Sequence, residues 1–136
     1  MTKLVAALLV AVLQTSVPMR SIDKGQESQI DTARQVSAHT ADEWAKLWMQ
    51  HAGARTRPNV DFNKEAVAAV FLGTRPSAGY AVEVVSARQE GVALVVSYKE
   101  TRPAPDSVAA QVLTSPYHIV AIAKGSTTDV KFERVN

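Results

Sequence analysis

Ala66 to Leu72 reads AVAAVFL, seven apolar residues without a break. A strand with one wet face alternates apolar and polar residues, so an unbroken run of this length predicts a strand covered on both faces and central in its sheet. On its C-terminal side Gly73 to Tyr80 (GTRPSAGY) punctuates the chain. Beyond it, Tyr80–Ala87 and Val92–Lys99 are β-branched and alternating, and Arg88-Gln89-Glu90-Gly91 between them supplies a tight turn, which predicts a hairpin. Tyr117–Ala123 (YHIVAIA) and Val130–Val135 (VKFERV) read as a second hairpin across Lys124–Asp129.

On the N-terminal side, Thr40 followed by Glu43 forms a capping box, and Asp42 and Glu43 place negative charge where a helix N-terminus favours it. Trp44, Leu47, Trp48 and His51 recur at i, i+3, i+4 and i+7, and Gly53 follows as a stop. The spacing predicts a helix over Ala41–Ala52 with both tryptophans on its packed side. A weak alternation over Ile30–Ser37 predicts a first strand. The fold expected is α+β and mainly β: five to six mostly antiparallel strands in a small sandwich or barrel-like sheet, with one amphipathic helix packed on it.

The chain has 136 residues, 46% of them hydrophobic and 21% charged, which suits one folded domain rather than a disordered chain. Met1-Thr2-Lys3, the apolar run Leu4–Leu13 and the polar Gln14-Thr15-Ser16 follow the order of an export leader. The run is about half as long as a membrane-crossing helix, so no stable membrane anchor is expected. The organisation expected is a leader over residues 1–20, a flexible linker over 21–29 and one domain over 30–136, secreted or periplasmic. Removing such a leader takes Lys3 and Arg20 with it and lowers the net charge from +2 to 0. With no basic patch interleaved with aromatics, nucleic acid is excluded as a partner class. The absence of cysteine excludes disulfides, thiolate metal sites, a cysteine nucleophile and a lipid-modified cysteine.

Catalytic constellations are scarce. His39, His51 and His118 lie at no metal-ligand spacing, and His39 and His51 suit the helix ends, the latter as a cation near the C-terminus. No metal site and no cofactor are expected. Ser115 as nucleophile, His118 as base and Asp106 as orienter make the one hydrolase alternative, but no nucleophile-elbow motif supports it. Gly73 and Gly79 lack the Lys-Ser/Thr of a phosphate-binding loop.

Loops remain. Thr-Arg-Pro occurs at Thr56-Arg57-Pro58, Thr74-Arg75-Pro76 and Thr101-Arg102-Pro103, and the last two follow expected strands directly. Gly73 and Gly79 can adopt backbone angles closed to other residues and Pro76 stiffens the loop, so the segment either binds a partner with little entropic loss or is simply a stable turn. Glu100–Pro116 is long for an unstructured connection, which makes it functional or partly a strand over Ala109–Leu113.

The Glu43-x-Trp-x-x-x-Trp48 helix, then VDFNKEAVAAVFLGTRPSAGYAVEV (Val60–Val84), YKETRPAP (Tyr98–Pro105) and LTSPYHIV (Leu113–Val120), together resemble the PrcB C-terminal-type domain, over roughly Ile30–Val135. That resemblance implies an exported, non-catalytic module associated with a protease or an envelope assembly. Some members are lipoproteins, and this chain has no cysteine to carry lipid. Pro76-Ser77-Ala78-Gly79-Tyr80 is also similar to a loop of chagasin-like cysteine-peptidase inhibitors, and Arg102-Pro103 to a second inhibitor loop; their glycine-rich third loop has no counterpart. These readings point to Arg75, Pro76, Gly79, Tyr80, Arg102, Pro103, Tyr117 and His118 as protein-binding residues, with a secreted or envelope protease as partner. A structural envelope protein is the third class considered; it requires Trp44 or Trp48 to be exposed.

Overall fold

The structure, a computed structural model, describes residues 14–125 and 129–136. The elements follow in the order β1 (Gln14–Ser16), β2 (Met19–Gly25), β3 (Arg34–Ala38), α1 (Ala41–Ala52), β4 (Glu65–Phe71), β5 (Ala81–Glu90), β6 (Ala93–Thr101), β7 (Tyr117–Ala123) and β8 (Asp129–Val135). They form two four-stranded sheets, ordered β1-β5-β6-β8 and β2-β7-β4-β3. The sheets pack as a sandwich and do not close into a barrel, and α1 lies on the outer face of the second sheet.

The unbroken run in β4 explains this layering. Val67, Ala69 and Phe71 face α1 and pack with Trp44, Leu47, Trp48, Tyr117 and Ile119. Ala68, Val70 and Leu72 face the first sheet and pack with Val82, Val84, Leu94, Val96, Val120 and Ile122. A strand with helix on one side and sheet on the other has no wet face, so after Glu65 at its entry β4 carries no polar residue.

The helix begins and ends where expected. Thr40 Oγ1 accepts the Glu43 N–H at 3.1 Å, and the Glu43 carboxylate reaches the N–H of His39, one residue upstream of the usual capping-box partner, at 3.4 Å. Gly53, at φ 59°, donates its N–H to Met49 O. Trp44 and Trp48 are only 2% and 4% exposed, which overturns the envelope-protein reading that needs one of them at the surface. Their indole N–H groups donate to Pro58 O and Arg55 O, so the first Thr-Arg-Pro segment closes over the helix. The β5–β6 hairpin also forms, with strands longer than expected: Glu90 pairs with Ala93 across Gly91-Val92, and Gly91 at φ 59° takes the positive angle of the two-residue turn.

Three expectations fail. Among the described residues there are eight strands rather than five or six, because Gln14–Ser16, read as leader, forms β1 and Ser21–Gly25, read as linker, belongs to β2 and pairs with β7. β7 and β8 are not a hairpin: β7, apolar on both faces, needs a central place and sits between β2 and β4, while β8 runs parallel to β6 at the edge of the other sheet. Ala109–Leu113 forms no strand; only Thr114 and Ser115 make isolated bridges. Of the expected leader, Leu4–Leu13 lies outside the described residues, whereas Gln14–Ser16 and Met19–Arg20 are paired in the two sheets. Arg20 also makes a two-pronged contact with the Glu65 carboxylate, 2.9 Å on each side.

Candidate protein-binding surface

The connections after β2, β4 and β6 meet at one end of the sandwich. Leu72 N–H donates to Pro116 O, and Thr74 N–H to Asp31 O. Gly73 lies so close to the chain at Asp31–Ala33 that a Cβ would sit 2.7 Å from Ala33 N; its φ of 76° bars other residues as well. Arg75 and Thr114 exchange two backbone hydrogen bonds, at 2.7 and 3.0 Å. Ala78 N–H donates to Ala110 O, and Thr114 Oγ1 donates to Ser77 O. Gly79, at φ 94°, faces Pro103, where a Cβ would meet the proline ring at 2.8 Å. The two Arg-Pro loops are thus one bonded unit, which separate readings of each loop missed.

Within this unit Arg75 lays its guanidinium over the Tyr80 ring, 5.5 Å from the centroid, and its Nε is buried without a hydrogen-bond partner. Pro76, Gly79 and Arg102 are exposed, and Pro103 and Tyr80 are half-buried. On the long loop Val108, Val112 and Leu113 stand in solvent, Leu113 at 77% exposure. Beside Leu113 a shallow cleft of about 300 Å³ is lined by Gln26, Glu27, Thr74, Thr114 and Ser115. These apolar residues are not among those singled out from sequence; their signal is an apolar Val-Leu pair in a loop long for an unstructured connection.

Tyr117 and His118 are not on this surface. Both are buried, as consecutive residues of a central strand with two covered faces must be. Val84 N–H donates to His118 Nδ1 at 2.8 Å, which leaves the ring proton on Nε2, 2.8 Å from Ser21 Oγ. Burial, then the charge of Lys24, pushes the His118 pKa down, with Glu83 opposing. The ring thus links β7 of one sheet to β5 of the other. Ser115 uses its backbone to hold Gln26 and Ser28, and Asp106 is exposed on the long loop, so Ser115, His118 and Asp106 form no relay.

A second histidine is equally enclosed. His51 has no exposed surface; its Nε2 lies 2.9 Å from Asp23 Oδ2 and its Nδ1 2.8 Å from Ser28 Oγ. Arg55 donates to the same carboxylate oxygen at 3.0 Å. Burial pushes the His51 pKa down despite Asp23, so the ring is neutral rather than the helix-end cation expected from sequence. At Asp23 burial pushes the carboxyl pKa upward, but hydrogen bonds from His51, Tyr117 and Arg55 prevail and hold it low. Ser28, His51 and Asp23 have the distances of a serine-hydrolase relay. Yet the imidazole is enclosed by the rings of Trp48, Phe71 and Tyr117, and Ser28 Oγ also accepts the Ile30 N–H at 3.1 Å. The network clamps β2 and the following loop to α1.

A bulge makes both histidine sites possible. Ser21 lies opposite Val120 and Asp23 opposite Ile119, so one residue of β2 is extra and the face changes between them. Ser21 therefore reaches His118 between the sheets, whereas Asp23 reaches His51 under the helix. Among the described residues no group of three His, Cys, Asp or Glu could hold a metal ion, and no helix is long and apolar enough to cross a membrane.

A helix-backed β-sandwich with a bonded loop ridge at one end defines the class of protein: a small mainly-β module with a preformed surface. Residues 66–123, from β4 through β7 with both Arg-Pro loops, match the family described as PrcB C-terminal, so this part of the chain is similar to a PrcB C-terminal-type domain. No curated protein and no solved structure matches the chain.

Proposed function

We propose that the protein is an exported, non-catalytic binding subunit that associates with a secreted or envelope protease through the ridge formed by Arg75–Tyr80 and Arg102–Ser115. The observation that carries this reading is the bonding of the two loops into one unit that still leaves Val108, Val112 and Leu113 in water. A prebonded surface loses little entropy on docking, and exposed apolar side chains supply the area to be buried. The family's connection to a protease-complex subunit supports the choice of partner. On this reading the leader ends before Gln14, because cleavage after Arg20 would remove β1, the start of β2 and the contact to Glu65.

The test is capture from the source organism's envelope and secreted fractions with the wild type beside an Arg75→Ala/Tyr80→Ala variant. A peptidase retained by the first and lost by the second is expected. Equal retention by both, or no peptidase at all, would remove the ridge from consideration. Assay of the captured peptidase then separates a docking or stabilising subunit from an inhibitor.

A further inference from the structure

Of the four sheet edges among the described residues, three are shielded. β1 is three residues long. β2 is joined to β5 through the Ser21–His118–Val84 link and Lys24–Glu83. β8 carries charges that already pair inward, Glu133 with Arg88 and Arg134 with Glu100. β3 differs: all five of its residues pair with β4 on one side, and no strand lies on the other.

A groove of about 210 Å³ runs between this free edge and α1, lined by Arg34, Val36, Ser37, Glu43, Lys46 and Leu47, with Gln50 at one end. Its composition is ordered by the register. Arg34, Val36 and Ala38 lie opposite Phe71, Ala69 and Val67, on the helix side of the sheet, so Val36 and Leu47 give an apolar floor. Arg34 and Lys46 flank it, and among the described residues neither makes an ion pair or hydrogen bond through its side chain. Glu43, the one acid in the lining, is occupied at the His39 N–H.

We infer that this groove takes an extended acidic peptide segment of a partner protein, which adds to β3 as a fifth strand. An edge strand offers unpaired backbone groups at strand spacing, and a helix alongside it lets alternate side chains of the added strand be read. One apolar side chain of the segment lies on Val36 and Leu47, and acidic side chains two residues to either side of it, on the same face of the strand, meet Arg34 and Lys46. A second copy of the chain is the poorer occupant: two-fold pairing of β3 with itself would bring two Arg34 and two Lys46 to one seam without a free acid to offset them. This surface is separate from the loop ridge, and its test does not depend on the ridge variants.

The probe is a fluorescein-labelled, end-capped peptide of the repeating pattern Asp-Ser-Val-Ser-Asp, compared with its Lys-Ser-Val-Ser-Lys counterpart, titrated against the full chain by anisotropy. Hydrogen exchange at Arg34–Ala38 is followed in the same samples. We expect binding of the acidic peptide alone, with slowed exchange across β3. The R34E/K46E variant should lose about tenfold in affinity for it, the worth of two screened ion pairs, and gain binding to the basic peptide. Equal binding of both peptides, binding that leaves β3 exchange unchanged, or indifference to the charge reversal would overturn the inference. So would slowed exchange at β3 that rises with protein concentration alone, accompanied by a dimer in sedimentation, which would assign the edge to a second copy.

Discussion

Around His51 the polar groups are paired and enclosed; along the ridge of residues 75–80 and 102–115 apolar side chains stand in water. The first arrangement is costly to break, because removal of one member leaves others buried without partners. The apolar side chains of the second, Val108, Val112 and Leu113, cost the isolated fold little when altered, because they touch mainly solvent. Polar atoms inside and apolar atoms outside thus mark opposite roles, the former holding the fold and the latter available to a partner.

The sharpest test of that contrast is His51→Ala. It should lower stability by about 3 kcal/mol or more in urea unfolding, through the cavity and the loss of the hydrogen bonds that Asp23 and Ser28 make to the ring. Gly73→Ala comes next, with a loss of about 2 kcal/mol or more, because its positive φ coincides with a backbone contact at 2.7 Å. Gly91→Ala, at a similar φ but with open space around it, should lose only about 1 kcal/mol. If the two glycine variants unfold at the same urea concentration, the tight seating of the ridge against Asp31–Ala33 is not a source of stability.

Acid should act on the buried side of the contrast. His51 and His118 both have pKa values below the ordinary 6.5, so between that value and their folded-state values the unfolded chain binds more protons than the folded one. Stability is then complete above about pH 6.5 and declines as pH falls below it. Melting temperature against pH should show this decline, and a His118→Gln variant, which can still accept from Val84 N–H, should flatten part of it. An unchanged slope in that variant would mean that His118 does not titrate with folding. The smallest effect on the isolated fold is expected from Val108→Ser and Leu113→Ser, within about 0.5 kcal/mol of wild type.

The sequence made legible what depends on local pattern. The doubly apolar Ala66–Leu72 run, the Thr40–Gly53 helix with its two tryptophans and the Gly91 turn all follow from neighbours in the chain. The errors arose where distant residues decide. VKFERV alternates as an edge strand should, but alternation does not say which strand lies beside it, and β8 chose β6. SIDKGQESQ is polar and looks like a linker; its Ser and Asp are polar because a bulge aims them at two buried imidazoles. The candidate surface was half legible. Gly73, Gly79 and the Arg-Pro pairs pointed to the loops that bond into the ridge, whereas Tyr117 and His118, chosen from the Ser115-Pro116-Tyr117-His118 motif, are buried away from it. Their burial could be inferred only by treating YHIVAIA as strictly as AVAAVFL, a strand covered on both faces.

The most direct test of the central claim is the affinity of the captured peptidase for wild type and for the Val108→Ser/Leu113→Ser double variant, measured alongside urea unfolding. The account predicts that affinity falls by tenfold or more, roughly the loss of two buried apolar contacts, while the unfolding midpoint stays in place. Unchanged affinity in a normally folded variant would contradict it, because the apolar side chains of the ridge would then play no part in holding the partner.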